Sequence, residues 1–199
     1  MSYLDELSSR LGVPYRFAPL TDGCRALLMD GAVVLSPEQI PERLHWAYCH
    51  EVAHLRLKHP QNLPRDSTEE LQQEAEASAL AAELLLPEPS FRRHAHRSLT
   101  ELKERFPFAS HEALARRRLT YRPGLLTIFD NDKRTCRLAP PDWNTPARLL
   151  PLETKARKQC LKTKTAAMLE DGGLTAEATY VDEGRGVVRV ILFLEGEAQ

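Results

Sequence analysis

The run HWAYCHEVAHLRLKH, residues 45–59, constrains this chain more than any other stretch. Ala47, Val52, Ala53, Leu55 and Leu57 suit a packed helix, yet His50, Glu51 and His54 sit among them. A helix turns about 100° per residue, so positions four apart share a face about one turn apart. His50 and His54 therefore aim their rings at one point. Glu51 lies about 100° round from His50, too far to share what the rings hold but within reach of a water beside it. Buried imidazoles and carboxylates left unpaired are costly, so the pattern is best accounted for by something bound there. Two imidazoles at this spacing can hold a zinc ion at about 2.0–2.1 Å from each nitrogen. With Glu51 as general base, this is the His-Glu-x-x-His arrangement of zinc hydrolases.

Catalytic zinc usually keeps three protein ligands and one open position, so a third ligand must come from elsewhere. Asp66 or Ser67 can cap a strongly helical segment, STEELQQEAEASALAAELLL, which stops before Pro87. Glu69, Glu70 and Gln73 read as its solvated face. Glu74, Glu76 and Glu83 are the acids among its alanines and leucines. If the Pro60–Arg65 loop joins two antiparallel helices, either Glu74 or Glu76 returns beside His54. Residues two apart on a helix diverge by about 200°, so only one of them can be the ligand.

His50-Glu51-Val52-Ala53-His54 followed by EAEASALAAELLLP resembles the ImmA/IrrE family of metallo-endopeptidases. The resemblance covers Leu35 to Pro87 well and extends loosely to Leu119. It implies a minimal zincin-like core and makes Glu74, the first Glu of the downstream motif, the third metal ligand. The acid two residues on, here Glu76, is often Gln in relatives. Ser78, Leu80 and Leu86 stand where the family usually has Asn, Phe and Met. The last two keep apolar character, and the first bears on a hydrogen bond to the site. The resemblance also implies the substrate: a specific cytosolic protein, often a helix-turn-helix transcriptional repressor, whose cleavage triggers a stress or mobile-element response. An oxyanion in such a reaction needs a neighbouring donor, and Tyr48, His59, Tyr121 and Arg122 are candidates that the sequence does not rank.

The whole chain reads as α+β: a zincin-like core over 1–88, a small helix-turn-helix-like segment over 89–122, and a C-terminal α/β extension over 123–199 of unreadable role. Leu4, Leu7 and Leu11 suggest a first helix, ended by Gly12 and Pro14. PYRFAPL and CRALLMDGAVVLS read as strands, with Asp30-Gly31 as a hairpin turn. Ser36-Pro37-Glu38-Gln39 resembles a helix start running through about Lys58, with a restart at Pro41 as the alternative. SLTELKERF and SHEALARRRL bracket Pro107 as two short helices. LLTIFD and KRTCRLA flank Asn131-Asp132 as a hairpin, and PPDWNTPARLLP reads as a proline-rich connection. LETKARKQCLKTKTAAMLEDGG suggests a helix ended by Gly172-Gly173, and TAEATYV with VVRVILFLE a final hairpin whose last strand is half-buried.

With 199 residues, 42% hydrophobic and 28% charged, the chain can build a core. A net charge of -1 gives no global electrostatic case for nucleic acid or an anionic membrane. The N-terminus resembles neither a signal peptide nor a membrane anchor, and Cys24, Cys49, Cys136 and Cys160 form no C-x-x-C, so a cytoplasmic setting with reduced thiols is expected. Nothing in the sequence fixes an oligomeric state. Arg92 to Arg97 and Arg116-Arg117-Arg118 form a basic zone. It supports a rival reading: a DNA-binding or protein-interaction regulator that retains a non-catalytic zinc site. The favoured reading keeps these arginines in water or against a protein substrate. His94 and His96 diverge on a helix and are not expected to share an ion.

Overall fold

A computed structural model describes residues 2–21, 23–60, 67–140, 146–184 and 186–196. The fold is α+β. Two compact units divide the chain. The first comprises residues 1–91 with 107–110, and the second residues 92–106 with 111–199. Where the sequence suggested three segments, the helical residues from Arg92 onward group with the C-terminal part.

In the first unit, helix α1 (Tyr3–Leu11) starts at a reciprocal capping box between Ser2 and Asp5 and ends at Gly12, whose φ of 73° is left-handed. Strands β1 (Tyr15–Phe17), β2 (Ala26–Met29) and β3 (Ala32–Leu35) form a sheet in the order β1-β3-β2. β1 runs parallel to β3, and β2 returns antiparallel through Asp30-Gly31, both at positive φ as a two-residue hairpin requires. Helix α2 spans Pro41–Leu57 and packs against α3, Thr68–Leu85. Ser67 caps α3 by accepting from the Glu70 N–H at 3.1 Å. Asp66, the other expected cap, lies outside the described residues. A short helix α4 follows at Glu88–Phe91.

The helix start expected at Ser36 is not formed; α2 begins at Pro41. Ile40 precedes that proline and is held extended, with ψ 152°, because a residue before proline is sterically disfavoured in the α region. Gln39 instead ties the preceding turn together by donating to the carbonyls of Arg25 and Ser36. Residues 107–110 join this unit through Phe108, which stacks on Tyr3 at 3.8 Å and whose carbonyl lies 2.9 Å from His45 Nδ1.

The second unit contains a 3-10 turn at Arg92–His94, helices α5 (Leu99–Arg105) and α6 (His111–Leu119), strands β4 (Leu125–Asp130) and β5 (Lys133–Leu138), helix α7 (Pro151–Thr163), and strands β6 (Ala167–Asp171), β7 (Leu174–Asp182) and β8 (Val188–Gly196). The strands form one antiparallel sheet in the order β5-β4-β8-β7-β6. Helix α7 covers one face, over a cluster that includes Leu125, Leu152, Ala156, Cys160, Val190, Leu192 and Leu194.

Two expectations fail here. The α7 helix ends at Thr163, not at Gly172-Gly173. Lys164 adopts a left-handed cap (φ 55°), and Ala167–Asp171 become β6, so the two glycines turn β6 into β7. The last strand, β8, is not half-buried: Val190 through Leu194 are all buried, with both neighbouring strands paired to it. A central strand covered on both faces reads as a continuous apolar run rather than an alternating one. Residues 141–145 of the proline-rich connection lie outside the described residues.

Glu177 of β7 secures the two short helices to the sheet. One carboxylate oxygen accepts the Leu99 N–H at the start of α5, at 2.6 Å. The other pairs with Arg118 at the end of α6. Arg118 also reaches Glu195 at 2.9 Å and lies over the Phe193 ring at 4.4 Å. It is 4% exposed.

Candidate metal centre

Helix α2 buries Tyr48, Cys49, Val52 and Ala53 in the first unit and leaves His50, Glu51 and His54 half-buried at a cavity of about 860 Å³. Ala26, Leu27 and Leu28 of β2 line the same cavity, as do His59, Gln73 and Glu74. The two imidazoles meet as their helical spacing requires, Nε2 to Nε2 at 3.1 Å. Glu74 comes in from α3: its carboxylate lies 3.1 Å from His50 Nε2 and 3.3 Å from His54 Nε2. One candidate ligand atom from each of the three residues falls within 4.8 Å of the others. Among the described residues these are the three grouped so; Glu76, Glu83, His94 and His96 are not part of the group.

This donor set fits a divalent ion. Ligand atoms at 2.0–2.1 Å from a tetrahedral centre stand about 3.3 Å apart, within a few tenths of the separations described here. Two neutral imidazoles and one carboxylate are also the donor chemistry of a catalytic zinc, which leaves one position open. The Nδ1 of His50 is buried with no hydrogen-bond partner among the described residues. Trp46 flanks that ring, with centroids 6.5 Å apart.

The electrostatics follow from burial. Glu51 is pushed up to about 7, first by desolvation and then by the neighbouring Glu74 carboxylate. His54 is pushed down, first by desolvation and then by the adjacent His50. Both shifts favour the neutral forms, and a cation among the three donors opposes the cause at Glu51 that Glu74 supplies.

The family model Peptidase_M78, described as the IrrE N-terminal-like domain, matches residues 8–118, more than half of the chain. The chain belongs to this family. Membership in Peptidase_M78 implies a metallopeptidase, with a metal ion and a protein substrate. No curated protein matches the chain. Among solved structures, a Mycobacterium tuberculosis transcriptional regulator is similar in fold, with a TM-score of 0.67 at 13% identity, covering 96% of this chain and 78% of that one.

Other sequence candidates fall elsewhere in this Peptidase_M78 chain. The hydroxyl of Tyr48, fully buried, donates to the Val13 carbonyl at 2.6 Å, a packing role. Arg122 belongs to the second unit, where it donates to the His96 carbonyl and pairs with Glu195. Tyr121 belongs there too, with Arg117 over its ring at 5.2 Å. The expectation that Arg116 to Arg118 lie in water or against a protein substrate fails at Arg118, which is buried with its charge matched by two acids. His59, one of four unranked candidates, is the residue whose place the sequence did not reveal: its Nδ1 lies 3.1 Å from His54 Nδ1. Among the described residues, no helix is long and apolar enough to cross a membrane.

Proposed function

We propose that this chain is a zinc-dependent endopeptidase. It cleaves a specific cytoplasmic protein, a helix-turn-helix transcriptional repressor, and so releases a stress or mobile-element response. The observation that carries the reading is the convergence of His50 Nε2, His54 Nε2 and the Glu74 carboxylate beside Glu51 on one cavity wall. His50, His54 and Glu74 hold the ion, and Glu51 is left to handle protons. Zinc there supplies Lewis acidity toward water and toward a peptide carbonyl. Glu51 takes the proton of the attacking water and delivers it to the amine nitrogen of the broken bond. Burial holds the Glu51 carboxyl above the ordinary carboxylate range, which strengthens it as a base toward that water. Strand β2 is an outer strand of its sheet and lines the cavity, so an extended substrate segment can pair along it and bring its peptide bond to Glu51.

The repressor as substrate is carried by the family resemblance, and the cavity beside β2 suits an extended peptide segment. The DNA-binding alternative is weakened because Arg118 is buried and paired, which removes one cation of the basic run from any phosphate contact. The test is zinc content combined with cleavage. Purified protein is expected to hold one zinc per chain and to cut a helix-turn-helix repressor encoded beside its gene. Glu51→Gln is expected to keep the zinc and lose cleavage. A Glu51→Gln variant that cleaves at the wild-type rate ends the proposal.

A further inference from the structure

We infer that His59 and Glu76 are positioning residues for His54, linked in a one-way hydrogen-bonded relay behind the candidate metal centre. This rests on the reading of His50, His54 and Glu74 as zinc ligands. An imidazole that binds metal through Nε2 carries its proton on Nδ1, and that N–H needs an acceptor to fix the ring. His54 turns its Nε2 toward His50 and Glu74, and its Nδ1 toward His59 Nδ1, 3.1 Å away. His59 must then present a bare Nδ1 and hold its own proton on Nε2. That second nitrogen faces a carboxylate, Glu76 Oε2, at 3.3 Å. The other oxygen of Glu76 accepts from Gln72 Nε2 at 2.8 Å.

Every proton in this line has one place to go. His54 donates to His59, His59 donates to Glu76, and Gln72 steadies Glu76 from the far side. The reverse assignment puts the His54 proton on Nε2, where the ion binds. The relay therefore selects the metal-binding tautomer. Its middle member is sheltered: the His59 side chain is 8% exposed, which leaves little room for water to take its place. The backbone reinforces the placement, because the His59 N–H also bonds to the His54 carbonyl at 3.1 Å. Glu74 and Glu76 thus divide the work between them, the first beside the ligand rings and the second beside the ring that orients one of them.

The experiment is zinc affinity of the full chain, measured by competition with a chromophoric chelator. Removing a partner that orients a metal-bound imidazole typically costs 10–100-fold in affinity. His59→Phe is expected to lose about that much with its circular dichroism unchanged. Glu76→Ala is expected to lose less, because its side chain is 46% exposed and water can replace it. The double variant is expected to bind no more weakly than His59→Phe alone, since Glu76 acts only through His59. Nitrogen-15 NMR of the zinc-loaded protein is expected to find His59 protonated on Nε2, a signature that a merely packed ring does not require. Wild-type affinity in a folded His59→Phe, or strictly additive losses in the double variant, overturns the relay. If His59→Phe does not fold, Glu76→Ala and the NMR tautomer decide the matter. His50→Ala separates the two readings. A wild-type chain that binds zinc no better than His50→Ala overturns the metal centre and the relay together. A loss at His50→Ala with none at His59→Phe overturns the relay alone.

Discussion

Tyr48 sits two residues before His50 on α2, yet its hydroxyl is spent on the Val13 carbonyl in the core. Tyr48→Phe is therefore expected to lower unfolding free energy by about 1 kcal/mol, the net worth of one hydrogen bond, in urea titration. Turnover is expected to stay at the wild-type level, and a large drop in kcat would return Tyr48 to the reaction. At this scale the sequence was readable wherever periodicity alone placed the side chain. His50, Glu51 and His54 follow from a 3.6-residue turn and nothing else. Arg118 was unreadable, because what buries it is a pair of acids 59 and 77 residues away. His59 was unreadable for a nearer reason: its place depends on a turn made by Lys58, a residue with no preference for left-handed backbone.

Most elements were legible where a cap or turn residue marked them. Gly12, Asp30-Gly31, Ser67 and Asn131 fall at the boundaries their chemistry favours. The missed boundary at α7 has the same origin as the missed His59, since Lys164 makes a left-handed cap without the glycine that usually signals one. Strand β7 holds two helices through one acid. Glu177→Ala leaves the buried Arg118 with only the half-buried Glu195 as partner and strips the acceptor from the start of α5. A loss of about 3–5 kcal/mol is expected by denaturant titration, as for other buried pairs broken from one side. A loss under 1 kcal/mol contradicts the idea that this acid secures both helices. Strands β4 and β8 are also joined by Asp130 and Arg189, bidentate at 2.7 and 3.0 Å. The Arg189 hydrogen bonds hold the Asp130 carboxyl below its ordinary 3.8. A depressed acid stabilises the fold above that ordinary value and loses its contribution as pH falls through the folded one. The stability gap between wild type and Asp130→Asn is thus expected at pH 7 and gone in strongly acid solution. A gap that widens on acidification contradicts the pairing.

On the scale of the molecule, each of the two units has its own buried core, and the candidate centre lies wholly within the first. A ligand that binds only the folded state stabilises it by about 2.7 kcal/mol at a hundred times its Kd. Zinc is therefore expected to slow amide hydrogen exchange in α2 and α3 more than in β4 to β8. Equal protection throughout the chain would argue against a centre confined to the first unit. The α+β class was legible, because strand and helix signals mix along the sequence. The grouping of α5 and α6 with the second sheet was not, since it rests on Glu177 and on Phe193 beneath Arg118 rather than on anything local.

The left-handed Lys58 at the end of α2 sets a condition on anyone who would transplant this site. On an unbroken rod, five residues carry a side chain about 140° away from its starting point. Copied onto a longer helix, the motif would keep its pair of rings and strand the third on the wrong side. What has to be moved is the motif together with the place where the helix stops.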